Sequence, residues 1–403
     1  MKQLIAKKYK RFVIYVEIFL VLTSIVLVYN FIPINGGKTT FYLSTTEPQK
    51  IIAKLKEEGY AITPIDKYVL QLIHTPEKGW YTLDPDAYYG RFLFFEHMYK
   101  HKSRRLMDVV VFAGETKEEL LHRLGNDMKL NKEKLHTRYL SKAKYEEGDI
   151  LAGRYTVARE ADENETIDYL FDQSTEKIAA LQKELLRHEP TPQAWGKILK
   201  TASVIQKESN SVKEMPLISA VIHNRLRKKM RLQMDATLNY GPYSHTVVTP
   251  ERIKEDQSLY NTYKHRGLPP APLSTVTLEA LKAAIKPAKE NYLFFMLTPT
   301  GEHNFTASYK AHLSNIRKFR AYQKEQLKKK EREAAKEAEK RNSKALIAIA
   351  SGDKKTKNNK GVSGTVSLFR TNPSLMKKIK IDGSKVSYVR SGLVPLQEHR
   401  SCK

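Results

Sequence analysis

The sequence predicts an α+β protein on a single N-terminal transmembrane helix, with a basic C-terminal tail. Three observations predict it. Residues 12–34, "FVIYVEIFLVLTSIVLVYNFIPI", supply about 20 mostly apolar residues, enough to cross a bilayer as a helix. Strand signals then alternate with capped amphipathic helices over 36–155, and a motif-dense mixed region follows at 195–322. From 321 onward there are 21 lysines and arginines against 8 acids, half the basic excess of the whole chain.

The apolar segment contains one charge, Glu17, near one end. Lys2, Lys7, Lys8, Lys10 and Arg11 precede it, so residues 1–11 are expected in the cytoplasm and everything after about 35 outside. A cleaved signal peptide is the rival reading; the segment is long for one, and no A-x-A site follows.

Two stretches then share a pattern of strand, capping signal, helix and polar exit: "FYLSTTEPQKIIAKLKEEGYAIT" (41–63) and "DVVVFAGETKEELLHRLGNDMKLN" (108–131). Thr46 with Gln49, and Thr116 with Glu119, fit the capping box, in which two side chains satisfy orphan backbone donors at a helix start. They read as related α/β modules, against the alternative of two ordinary capped helices. Residues 156–194 hold a connecting helix, with Ile167, Leu170, Phe171, Ile178 and Leu181 at helical spacing, ended by "EPTPQAW".

Within 195–322 an opening helix is followed by "KEMPLISAVIHNRLRKKM", where Pro216 sits near a helix start and Leu217, Val221, Ile222 and Leu226 form the buried stripe. "RLQMDATLNYGPY" reads as extended, and "YNTYKHRGLPPAPL" (260–273) holds too many prolines for regular structure. "TLEALKAAIKPA" is a helix stopped by Pro287, and 291–308 a hairpin containing His303 and Phe305. Residues 323–403 are a basic extension: "QKEQLKKKEREAAKEAEKRNSK" suits a solvated helix, and the remainder, including "GDKKTKNNKGVSG", suits disorder.

The net charge of +26 and pI near 9.7 indicate an anionic partner. With the chain exported, nucleic acid is excluded as that partner, leaving the membrane surface and the cell wall. Cys402 is the only cysteine, so no disulfide forms within one chain and no thiol is placed for catalysis. His97 and His101 have a spacing that can bind zinc, but no glutamate follows in a zincin arrangement. They read as exposed histidines in a basic segment, so no metal is expected. No phosphate-binding glycine loop or nucleophile elbow is present either.

One carboxylate stands out. In "TASVIQKESN" (201–210), Val204 and Ile205 lie one turn before Glu208, Lys207 points away, and the turn formers "SNS" follow. Two readings stand: a surface glutamate at a fraying helix end, or a catalytic acid kept protonated by apolar neighbours.

Five strings resemble the endolytic murein transglycosylases, the YceG-like or MltG family: "ASVIQKES" (202–209), "VIHNRLRKKMRLQMDATLNYG" (221–241), "YNTYKHRGLPPAPL" (260–273), "LKAAIKPAKENYLFF" (281–295) and "GEHNFTASYKAH" (301–312). "DVVVFAGETKEELLHRL" resembles, more loosely, that family's LysM-like subdomain. The resemblance implies LysM-like modules over 36–155 and a catalytic domain over 195–322. It also implies a membrane-anchored enzyme that cuts peptidoglycan strands between N-acetylmuramic acid and N-acetylglucosamine. The product would carry 1,6-anhydro-muramic ends, with no water consumed and no cofactor. The implied setting is the cytoplasmic membrane beside peptidoglycan synthases, where trimming of nascent strands limits their length. A non-catalytic wall-binding scaffold is the alternative.

The family's catalytic glutamate lies in an "EKE" portion of its helix motif, which here reads Gln206-Lys207-Glu208, leaving Glu208 as the sole acid. One acid suits this chemistry. Ordinary glycosidases use two carboxyl groups, but an attacking muramyl C6 hydroxyl is tethered and already positioned. The resemblance further implies that Asn224, Arg225, Gln233, Asp235, Asn261, Tyr263 and His303 line the sugar cleft. For each of these, capping or loop bracing stands beside ligand contact. Ala236 replaces a proline common in the family, and Ala311 precedes His312 where an acid is common; both are expected to affect local packing only.

Overall fold

A computed structural model describes residues 2–84 and 90–352. Helix α1 (Lys2–Phe31) contains the apolar segment; its stretch Lys7–Phe31 is long and apolar enough to cross a membrane, and almost none of it is buried by the protein. Three hydrophobic cores follow in chain order.

The first core belongs to a β-α-α-β unit: β1 (Thr40–Leu43), α2 (Pro48–Glu57), α3 (Asp66–Ile73) and β2 (Gly79–Thr82), with α4 (Arg91–Lys100) packed beside it. β1 and β2 pair antiparallel, Phe41 opposite Tyr81. The alternation puts Phe41 and Leu43 into the core against Ile51, Leu55 and Leu70. The capping box expected from Thr46 and Gln49 does not form. Pro48 occupies the first turn, so Glu47 becomes the N-cap and makes no side-chain cap, while Thr45 Oγ1 accepts from the Glu47 N–H (3.0 Å). Within this core Asp66 and Arg91 are fully buried and paired at 3.1 Å. The Tyr29 hydroxyl of α1 donates to the same carboxylate, and Asn30 Oδ1 accepts from the Phe92 N–H.

The second unit repeats the order: β3 (Leu106–Val111), α5 (Lys117–Asp127), α6 (Lys132–Lys142) and β4 (Gly153–Ala158), with Val109 opposite Tyr155. Here the Thr116–Glu119 capping box is present in both directions. In both units the sequence signal covered the first strand and helix, and the returning strand comes from a segment with little signal of its own. The connecting helix α7 (Glu163–Leu185) closes this core through Ile167, Leu170 and Phe171. Trp80 of the first unit inserts into it and donates to Thr156 O (2.9 Å).

The third core is built around α8 (Pro192–Glu208). Residues 201–205 and 207 are all buried, so the C-terminal half of α8 is enclosed on nearly every side, whereas Pro192, Gln193, Ala194 and Lys197 in its first half are exposed. α9 (Met215–Arg227), with Pro216 in its first turn, and α11 (Leu278–Ile285) pack against it. The segment expected to be extended, 231–243, instead contains two 3₁₀ turns, at Asp235–Leu238 and Gly241–Tyr243, because local side-chain bonds replace a strand partner. A short helix α10 (Pro250–Glu255) and the irregular Pro-rich loop precede α11. The hairpin is β5 (Phe294–Leu297) with β6 (His303–Thr306). α12 (Tyr309–Gly352) takes in the expected solvated helix over 323–344 and continues through 345–352, which were expected to be disordered; 353–403, also expected to be disordered, lie outside the described residues.

The buried pair in the first core predicts an asymmetric mutational cost. Asp66→Ala strands a buried guanidinium and should lower unfolding free energy by about 3–5 kcal/mol. Thr116→Ala, which removes one cap, should cost about 1 kcal/mol. Denaturant unfolding of the detergent-solubilised chain would show equal small losses if the Asp66–Arg91 pair were unimportant.

Candidate active site

Glu208 is the last residue of α8. The helix stops there because Ser209 turns to extended backbone after its N–H caps Ile205 O (2.9 Å). Glu208 itself is partly exposed, at the rim of the third core. Its Oε1 accepts from the Ala236 N–H at 2.8 Å, in the first of the two 3₁₀ turns. Position 236 therefore touches the carboxylate directly, correcting the expectation that its substitution concerns packing alone. A proline there would have no N–H to give.

The turn that carries Ala236 is held by the "YNTY" string. Thr262 Oγ1 accepts from the Met234 N–H (3.2 Å) and shares a hydrogen bond with Thr237 Oγ1 (2.9 Å), while Thr262 O accepts from the Gln233 N–H (3.2 Å). Tyr263 donates its hydroxyl to Asp235 Oδ1 at 2.6 Å. Burial pushes the Asp235 carboxyl upward from its ordinary range, and the bond from Tyr263 opposes this only in part. Burial, followed by the Asp235 charge and hydrogen bond, pushes the Tyr263 phenol upward too. Glu208 lies close enough to Tyr263 and Arg225 for its charge to act on both.

Four of the residues singled out in the sequence, Glu208, Asp235, Tyr263 and Arg225, thus gather in one place. Arg225 is buried, donating to Leu293 O (2.7 Å) and Leu232 O, with its guanidinium 5.4 Å from the Phe294 ring centre. Asn224 and Asn261 take the bracing role. The Asn224 amide donates to Glu290 O and Tyr292 O, and that of Asn261 to Ile253 O and Asp256 O. Gln233 is exposed, with left-handed backbone (φ 48°). His303 sits on the hairpin and is bound by Glu214, which accepts from its N–H (2.6 Å) and contacts Nδ1 (3.0 Å). Burial pushes Glu214 up, and the His303 contacts outweigh it, for a net downward shift. His97 and His101 stack on each other, rings 4.0 Å apart.

Gln206 faces elsewhere. Its Oε1 accepts from both the N–H (3.1 Å) and hydroxyl (2.8 Å) of Thr277, the N-cap of α11. Two residues along an α-helix turn the side-chain direction by about 200°, so the two positions of the acid motif address different neighbours.

Several participants were not singled out in the sequence. A cleft of about 620 Å³, within the usual range of small-molecule sites (roughly 300–1,000 Å³), is lined by Thr237, Leu238, Tyr243, Arg252 and Tyr260; it adjoins the turn that binds Glu208, and Glu208 is not among its lining residues. Tyr240 and Tyr260 stack at 4.2 Å, and both hydroxyls reach Glu146 of the second unit (3.2 and 3.3 Å). Lys207 is buried, donates to Ser244 Oγ, and attracts the carboxylates Glu119 and Glu147 across the same junction. Tyr260 was within a quoted string; Glu146 and Glu147 carried no local signal, since their partners lie from 30 to more than a hundred residues away in sequence.

The sequence pattern of the YceG-like family matches residues 44–318. An endolytic murein transglycosylase of Bacillus subtilis (strain 168) is 38% identical over 116 residues, 29% of this chain and 32% of that protein. One from Streptococcus pneumoniae is 28% identical over 180 residues, 42% of this chain and 31% of that protein. The chain thus aligns with about a third of the length of these curated relatives. A yceG-like protein of Listeria monocytogenes, known from a crystal structure, is 25% identical with a TM-score of 0.45, covering 70% of this chain and 99% of its own.

Two measurements check this geometry. Burial raises Glu147 to about 8, against partial opposition from the Lys117 charge and N–H. A carboxyl raised on folding holds its proton in the folded chain where the unfolded chain has lost it. Its contribution to stability is therefore full at low pH and falls as pH rises from about 4.5 to about 8. The difference in melting temperature between Glu147→Gln and wild type should grow in the variant's favour across that window; a pH-independent difference would contradict the assignment. Separately, Gln206→Ala should cost about 1–3 kcal/mol by leaving Thr277 unsatisfied, whereas Gln206→Glu, which keeps the acceptor, should cost less.

Proposed function

The chain belongs to the YceG-like family, and from its site we propose that it is a membrane-anchored lytic transglycosylase of peptidoglycan with Glu208 as general acid and base. One observation carries the reading: Glu208 ends the enclosed half of α8 at the rim of the third core, and its carboxylate accepts from the N–H of Ala236, whose neighbour Thr237 lines the adjoining cleft.

In the proposed reaction the Glu208 carboxyl protonates the glycosidic oxygen as the bond from muramyl C1 to that oxygen breaks. The muramyl C6 hydroxyl attacks C1 and returns its proton to Glu208, so the acid is regenerated and a 1,6-anhydro ring closes. No second carboxylate is needed as nucleophile, because the attacking oxygen belongs to the same sugar. Asp235 orients sugar hydroxyls, with the Tyr263 hydroxyl holding one of its oxygens. Gln233, exposed beside the turn, is the residue of the set best presented to a ligand. Arg225 fixes the floor through backbone carbonyls, and His303 contributes through the hairpin. The substrate is a nascent strand outside the cytoplasmic membrane, the LysM-like second unit helps hold it, and peptidoglycan synthases work nearby. The lysines and arginine at the start of α1, before the apolar segment, support this topology.

The test is digestion of purified glycan strands with mass detection of anhydro-muramic ends. Glu208→Gln should lose at least about 10²–10⁴-fold of the rate, the usual contribution of a positioned proton donor. Equal product from variant and wild type would remove Glu208 from the mechanism. Absence of product from both would favour the wall-binding scaffold.

A further inference from the structure

We propose that an apolar ridge on α3 seats the first β-α-α-β unit in the interfacial layer of the bilayer, beside the point where α1 leaves it. The proposal rests on the reading of α1 as the membrane anchor.

The ridge consists of Ile65, Tyr68 and Leu72, which are 56%, 61% and 79% exposed. Spacings of three and four place them on one face of the helix, while Val69 and Leu70 turn inward to the core. α3 is therefore apolar on two faces, one packed and one facing outward. A water-soluble surface rarely presents such a strip without a partner.

What covers it follows from continuity with the anchor. Ile65 lines one apolar groove together with Leu20, Ile25 and Val28 of α1 and Ile32 just after it, all within or next to the stretch long enough to cross the membrane. Lipid chains that surround those residues also meet Ile65. The relative position is fixed rather than carried on a linker. Tyr29 bonds to Asp66, the first residue of α3, Asp66 is locked to Arg91, and Asn30 holds the start of α4. Tyr68 has the amphipathic ring favoured at headgroup depth, and Lys67 Nζ lies 4.6 Å from that ring, an ammonium placed for lipid phosphate.

The experiment uses the full chain in phosphatidylcholine/phosphatidylglycerol vesicles whose acyl chains carry bromine near the headgroup. Native Trp80 and Trp195 are buried, so the unsubstituted chain supplies the background. Tyr68→Trp and Leu72→Trp should each lose roughly half or more of the added emission, consistent with burial of ~5–10 Å into the interface. Ile25→Trp in the anchor should be quenched as well, whereas Leu259→Trp, exposed in the third core's loops, should not. Quenching at position 25 with none at 68 and 72 overturns the ridge while leaving the anchor intact. Absence of quenching at 25 also overturns the anchor reading. Blue-shifted but unquenched emission at 68 and 72 means a second protein surface covers the ridge, and overturns its assignment to lipid.

Discussion

The enclosure of α8 is the constraint on which the rest of the third core depends. The last two turns of α8 are almost wholly buried, so a polar side chain there is presented chiefly where the helix stops, at Glu208. The neighbouring chain is shaped to meet that end. Thr262 ties down the segment 233–237, and in the 3₁₀ turn there the buried Ala236 N–H donates to the carboxylate. Ser203, one turn and a half earlier on α8, accepts from the Leu273 N–H and draws the Pro-rich loop across the same helix. Both irregular segments owe their shape to bonds with α8 or with each other, and so have no regular structure of their own.

This division explains what could be read from the sequence. Elements with their own periodicity and caps were legible: α1, the Thr116–Glu119 start of α5, the Pro216 start of α9 and the terminal hairpin. Features set by distant partners were not. The strands 79–82 and 153–158 are short and gain meaning only from partners about forty residues away. The turn at 235–238 reads as extended until Thr262 is placed beside it. The amides of Asn224 and Asn261 suit sugars equally well until four backbone carbonyls are seen to consume them. At the start of α2, proline geometry overrode a plausible capping pair.

Positions 206 and 208 show how one short motif splits into two jobs. The side chain at 206 faces α11 and satisfies its N-cap, a task an amide oxygen performs as well as a carboxylate and without burying charge. The side chain at 208 instead meets the Ala236 N–H, in the turn beside the cleft. The replacement of an acid at 206 therefore bears on helix packing, while the hydrogen bond that replaces the family's proline at 236 bears on the acid itself.

The three cores are joined in series, and each junction includes backbone groups or buried side chains beside exposed ion pairs such as Lys38–Asp162 and Lys78–Glu176. Tyr29 and Asn30 fix α1 to the first unit. Trp80 fixes the first unit to the second through Thr156 O. Thr275, which exchanges backbone bonds with Gly114 and Glu115 and donates its hydroxyl to Phe112 O, fixes the second to the third. Bonds of this kind are little screened by salt, unlike exposed ion pairs. The segment carrying Glu208 is thereby tied to α1 through the packed cores and not through a linker.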